Sequence, residues 1–87
     1  KSVTIISHKG EEIAQYVISK MSRGVTGIEA KGMYTKNGIT MLYCVLSNRE
    51  VSVLKDEVYK IDDKAFFIIS DVREVHGEGF IRRDEMI

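Results

Sequence analysis

The dipeptide Asn37-Gly38, set between two apolar-leaning runs that extend over Val25 to Ser47, constrains this chain more than any other stretch. Asn-Gly is a strong hairpin signal, because both central residues of a type I′ turn need positive φ, which Gly takes freely and Asn tolerates. With these two residues as the turn, Tyr34 faces Met41, Gly32 faces Tyr43, Ala30 faces Val45 and Ile28 faces Ser47 on one side of the hairpin. The other side carries Met33, Leu42, Cys44 and Leu46, with Lys31 and Glu29 among them. Both sides of the second arm are therefore apolar.

The remaining segments read as elements that pack onto this hairpin. Ser2 to Ser7 is short, β-branched and apolar, which predicts a strand. Ser7 is placed to cap a helix beginning near Lys9 or Gly10, with Ile13, Val17 and Met21 as its apolar stripe and Gly24 as its left-handed terminator. After the hairpin, Ser47-Asn-Arg-Glu50 matches the Ser-x-x-Glu capping box. The stripe Val51, Leu54, Val58 and Ile61 follows at helical spacing. Lys64 to Asp71 contains Ala-Phe-Phe-Ile-Ile-Ser, a fourth strand with room to extend through Val75. The order strand, helix, strand, strand, helix, strand is that of the ferredoxin-like βαββαβ plait, an α+β fold. Right-handed crossovers place both helices on one face of a four-stranded antiparallel sheet, with the first and third strands in the middle. Residues 1 to 80 make one such domain and residues 81 to 87 a charged C-terminal tail.

Two helices of about three turns cover only one face of four strands. The third and fourth strands nonetheless offer apolar side chains to both faces, so the open face is expected to be covered by a second copy or another domain. Met33, Leu42, Cys44 and Leu46 are the residues expected there.

Charge and composition exclude several functions. Thirteen basic residues balance 13 acidic ones, so no long-range field gathers nucleic acid or an anionic membrane. The apolar run Met41 to Leu46 falls far short of the roughly 20 residues that a membrane span needs. Cys44 is the only cysteine, so no disulfide framework or Cys-x-x-Cys motif exists, and a reducing intracellular setting is favoured. A start at Lys1 followed at once by a strand suggests a domain of a longer chain.

Candidate chemistry is thin. His8 and His76 have no second His, Cys or carboxylate at ligand spacing, and no metal or cofactor is expected. Cys44 lies in an apolar strand that raises a thiol pKa, so it reads as a packed small hydrophobe. Glu11-Glu12 and Asp62-Asp63 sit where helix starts and turns favour acids without catalysis. No catalytic residue is assigned. Lys31-Gly-Met-Tyr34 is similar to the Lys-Gly-aromatic opening of an RNA-recognition motif, but it falls on the second strand, and the first strand has no aromatic on which to stack a base. The glycine-marked loops, Gly24 to Gly27, Gly32 to Tyr34 and Gly77 to Gly79, offer backbone N–H groups that can cradle an anion, with Arg49, Arg73 and Lys31 as nearby positive charge.

Six segments together carry a resemblance: Ser7-His-Lys, Arg23-Gly-Val-Thr26, Lys31-Gly-Met-Tyr-Thr35, Leu42-Tyr-Cys-Val-Leu-Ser-Asn-Arg-Glu50, Asp63-Lys-Ala-Phe-Phe-Ile-Ile-Ser-Asp71 and Val75-His-Gly-Glu-Gly-Phe80. In order, from about Ile6 to Phe80, they resemble the C-terminal domain of unknown function in YitT-type bacterial membrane proteins. The resemblance implies a domain that follows transmembrane helices on the cytoplasmic face of the bacterial plasma membrane, with a fold like that of PII signalling proteins. It implies as partners the transmembrane domain of the same full-length chain, further copies in a dimer or trimer, and a small anionic ligand such as a nucleotide. PII proteins hold nucleotides in clefts between subunits near the base of the second hairpin, and by that likeness such a cleft would comprise Gly24, Val25, Thr26, Gly32, Tyr34, Arg49, Gly77, Gly79 and Phe80. Where PII proteins carry a long mobile loop, this chain has a tight Asn37-Gly38 turn, and Asp62-Asp63-Lys64 stands where family members commonly have Pro. The expected function is a noncatalytic regulatory or small-ligand-sensing domain that oligomerises through its open sheet face, the alternative being a purely structural assembly module. Acylphosphatase-type chemistry, known on this plait, needs an Arg-bearing loop where Ser7-His-Lys-Gly10 stands.

Overall fold

The first strand, β1 (Ser2–Ser7), sets the layers, because it lies inside the sheet and its side chains alternate strictly between buried and half-buried. The computed structural model describes residues 1–77, in the order β1, α1 (Gly10–Met21), β2 (Thr26–Lys31), β3 (Gly38–Val45), α2 (Asn48–Ile61) and β4 (Phe66–Ser70). The sheet runs β2-β3-β1-β4 with every neighbour antiparallel, which is the ferredoxin-like plait. Gly79, Phe80 and the tail 81–87 lie outside the described residues.

Every second residue of the central strands enters one core. Val3 and Ile5 from β1 meet Leu42 and Cys44 from β3 and Leu46 just beyond it. The helices close over them with Ile13 and Val17 from α1 and Val51, Leu54 and Val58 from α2. Ala65 completes the cluster before β4. Complete burial of a residue such as Ile5, Ile13 or Leu54 stabilises by about 1.5–3 kcal/mol relative to leaving it in water.

The expected capping box forms. Ser47 Oγ accepts from Glu50 N–H at 3.3 Å, and Glu50 Oε1 accepts from Ser47 N–H at 2.9 Å, so both orphan donors of the α2 start are satisfied. α1 begins differently: its N-cap is Lys9, without a side-chain cap. Ser7 Oγ instead accepts from Lys9 N–H at 2.9 Å just before the helix. At the other end Ser22, not Gly24, takes the left-handed conformation (φ 56°), and the Ser22 and Arg23 amides both reach the Val17 carbonyl, so α1 stops two residues earlier than expected.

The hairpin register departs from expectation. Gly38 pairs with Lys31 inside the ladder, and the pairs continue as Ala30 with Ile39, Ile28 with Met41 and Thr26 with Tyr43. The connection is the six residues 32–37, not Asn37-Gly38 alone. Gly32 N–H donates to the Asn37 carbonyl at 2.9 Å and Lys36 N–H to the Gly32 carbonyl at 2.7 Å, with Lys36 at φ 65°. Lys36, not Asn37, thus supplies the left-handed residue. β4 ends at Ser70 and does not extend to Val75.

The layer assignment of the open face is also corrected. Leu42, Cys44 and Leu46 are buried under the helices, and Met33 sits exposed in the 32–37 connection. The hairpin sorts into the two predicted sets, since the observed pairing differs from the expected one by an even number of residues and keeps each side chain on its side. The helices cover the opposite set from the one expected.

Gly10 opens α1 directly over β3, where a Cβ would come within 2.6 Å of Thr40 Cβ and Cγ2. Gly10→Ala should therefore destabilise by about 1–3 kcal/mol through overpacking, reduced by up to about 1 kcal/mol of helix propensity. A lower urea midpoint with an unchanged m-value checks it.

Candidate functional site

The face of the sheet away from the helices follows from the register. Ile28, Met41, Ile6 and Phe66 stand side by side in one row across all four strands, β2-β3-β1-β4. The next row is Thr26, Tyr43, Thr4 and Ile68, and beyond it lie Val45, Ser2 and Ser70. Ala30 and Ile39 complete the face at the hairpin end. None of these side chains carries a charge. Phe66 is 67% exposed, Ile28 47%, Ile68 46% and Tyr43 39%, so the patch is open to solvent although its rows are apolar.

Side-chain networks pin the loops at both poles of the sheet. At one pole Arg23 Nε donates to Glu50 Oε2 at 2.9 Å and Arg23 Nη2 to Glu50 Oε1 at 3.2 Å, a forked pair that joins the α1–β2 loop to the first turn of α2. Burial pulls the Glu50 carboxyl up, but the hydrogen bonds from Arg23 and Ser47 outweigh it and hold its pKa below the ordinary range. At the same pole the terminal amine of Lys1 donates to the Leu46 carbonyl at 2.9 Å, and the Lys1 ammonium pairs with Asp71. The Asp71 carboxyl is lowered by that hydrogen bond and charge.

At the other pole Ser7, buried, donates its hydroxyl to Asp62 Oδ2 at 2.6 Å, while Asp62 Oδ1 accepts from Lys64 N–H at 3.0 Å. These bonds tie the end of β1 to the turn after α2 and lower the Asp62 pKa, the Ser7 bond most. Beside this junction His8, Glu29, Ala30, Gly38, Ile39 and Thr40 line an open hollow of about 390 Å³. Among the described residues no group of three or more His, Cys, Asp or Glu is arranged to hold a metal ion. Burial, and then the Glu50 charge, push the Cys44 thiol up to about 11, so it stays protonated near neutrality.

Within one chain the described residues named for the ligand cleft do not come together. Gly24, Val25 and Thr26 precede or open β2, whereas Gly32 and Tyr34 follow its far end, with the length of the strand between them. Tyr34 is 99% exposed. The extended backbone of β2 keeps these two groups apart, since strand residues advance about 3.4 Å each. Arg49 lies exposed at the start of α2, on the pole of Gly24 to Thr26. Gly77 falls in the irregular segment after β4 at φ 154°, and Gly79 and Phe80 lie outside the described residues. The sequence reading missed Arg23, which sits next to Gly24 and whose partner Glu50 was already assigned to the capping box. It also missed Ile6, Ile28, Met41, Phe66 and Ile68, which become one surface only when β1 and β4 are placed beside the hairpin.

Comparison with known proteins places these features in a lineage. Residues 23–77 match the model of a family described as "Uncharacterized protein conserved in bacteria (DUF2179)". The chain is 46% identical over 81 residues to UPF0750 membrane protein YxkD of Bacillus subtilis, covering 93% of this chain and 29% of that protein. It is 34% identical over 80 residues to UPF0750 membrane protein YitT of the same organism, covering 92% and 28%. The chain thus spans less than a third of the length of these curated relatives. Among solved structures, the crystal structure of an uncharacterized DUF2179 protein from Eubacterium ventriosum superposes with a TM-score of 0.67 at 29% identity, covering 79% of this chain and 94% of that one. Among the described residues no helix is long and apolar enough to cross a membrane.

Because the folded pKa of Glu50 lies below its unfolded value of about 4.3, its contribution is full above that pH and is lost as pH falls through the folded pKa. Glu50→Gln should flatten part of the loss of stability as pH falls below the unfolded value, and cost about 1–2 kcal/mol at pH 7 because the charge-assisted bonds weaken at a partly exposed site. Urea unfolding of both proteins across that pH range measures it.

Proposed function

The chain belongs to the DUF2179 family, as a small domain of YitT-type (UPF0750) membrane proteins, and from that premise we propose that it is a noncatalytic regulatory domain acting through its uncovered sheet face, on which a second copy packs. The observation that carries this reading is the Ile28, Met41, Ile6, Phe66 row, which is apolar across the full width of the sheet on a face without a charged side chain. A self-complementary contact needs such a face, because a charge placed near a symmetry axis meets its own copy. The noncatalytic assignment is supported by Cys44, which is buried and held protonated. The cytoplasmic face of the bacterial membrane belongs to the same proposal, supported by a free thiol in the core.

Regulation by a small ligand is the finer part of the reading. With the glycine loops at opposite poles, the hollow beside His8, Glu29 and Thr40 is the location that supports it. The separation of those loops also favours the second reading, a structural module whose pairing holds neighbouring membrane domains together. Ligand binding separates the two readings.

Sedimentation of the chain from micromolar to millimolar concentration should show dimers appearing toward the millimolar end, and Met41→Lys, on the central strand of the open face, should return it to monomer with an unchanged circular dichroism spectrum. A compact monomer throughout the range would remove the association. A thermal-shift panel of nucleotides, cyclic dinucleotides and amino acids tests sensing, which predicts a raised Tm with at least one class; no shift across the panel leaves the structural module.

A further inference from the structure

The start of β1 and the end of β4 lie at the same pole of the sheet. Ser2 pairs with Ser70 on one side and with Val45 on the other, and Lys1 reaches both Leu46 and Asp71. Where a longer membrane protein joins this fold ahead of β1, the connecting chain leaves from that pole. Two copies carried by one membrane must both turn it the same way.

From this geometry, and resting on the self-association proposed above, we propose that two copies pack open face to open face about a two-fold axis parallel to the strands, with the Ser2–Ser70 poles of both on the same side. Two sheet faces can be related by a two-fold in two simple ways. An axis along the strands keeps like poles together, whereas an axis across the strands sends one pole to the far side. Only the first lets both copies hang from one membrane without a long connection to one of them. Aligned packing of this kind, with strands crossing at about 30°, is a standard way for two twisted sheets to meet.

The area sets how strong the contact is. Four strands about 4.8 Å apart and about five residues long give a footprint of about 300 Å² per copy. A standard stable interface buries about 800 Å² per partner. The pair is therefore weak between free copies and forms when attachment to the membrane protein raises the local concentration toward millimolar. Among the described residues the rows of this face hold no basic side chain, which also makes it a poor match for anionic lipid headgroups.

Cysteine crosslinking in membranes that contain the parent protein tests the orientation. Ser2→Cys marks the shared pole and Ile39→Cys the opposite end of the same face; Cys44 is buried and protonated, so it gives little background. Val45→Cys replaces Ser2→Cys should that variant melt early, since Val45 faces Ser2 across the ladder. The expected result is that each variant crosslinks to itself, Ser2→Cys with Ser2→Cys and Ile39→Cys with Ile39→Cys, with no mixed product when the two are co-expressed. A product found only in the mixture means antiparallel packing, which overturns the orientation while leaving the self-association standing. The absence of any crosslink overturns the orientation as well. If the chain alone also sediments as a monomer at millimolar concentration, the self-association falls with it, and another segment of the parent protein covers the face.

Discussion

A single helical layer over a four-stranded sheet is the constraint on which this structure depends. β1 and β3 each send alternate side chains to two faces, and α1 and α2 bring enough apolar surface for one of them. The core is consequently one-sided: Val3, Ile5, Leu42, Cys44 and Leu46 below, Ile13, Val17, Val51, Leu54 and Val58 above. The uncovered side follows from the same arithmetic, because strands with apolar residues on both faces cannot hide both sets under one helical layer.

Polar contacts act at the rim of this core and fix how the loops turn. Ser47 and Glu50 exchange hydrogen bonds at the α2 start, and Arg23 draws the α1–β2 loop onto the same carboxylate. At the opposite pole Ser7 and Asp62 connect β1 to the end of α2. Each network ties a loop or turn to a neighbouring element. They hold the two poles of the sheet in shape while leaving its open face unencumbered.

Much of this architecture was legible in the residues. The Ser-x-x-Glu box, the Val51, Leu54, Val58 stripe and the apolar strands gave the element order, and handedness then gave the plait. The hairpin register was not legible, because the Asn37-Gly38 signal competes with a six-residue connection in which Lys36 takes positive φ and Gly38 is free to join the strand. Period-two alternation sorted the hairpin into its two sets but could not say which set meets the helices. Glu29 and Lys31 belong to the set that meets the helices, yet both stay exposed on the edge strand β2. The residues named for the cleft fall at two poles of one chain for a related reason: sequence proximity to glycine says nothing about which pole of a strand a loop occupies.

The position of β1 between β3 and β4 also has a kinetic consequence. The β2–β3 hairpin and the α2 cap are local, but β1 must pair with a strand from the middle of the chain and one from near its end. Such nonlocal closure is entropically costly and slows folding. Until β1 arrives, the strand Phe66-Phe-Ile-Ile-Ser70 has no neighbour on either side and no charge of its own, with only Lys64 and Asp71 as flanking gatekeepers. Refolding at high concentration therefore sets intramolecular closure against intermolecular strand pairing, and β1 decides between them by how soon it fills the gap.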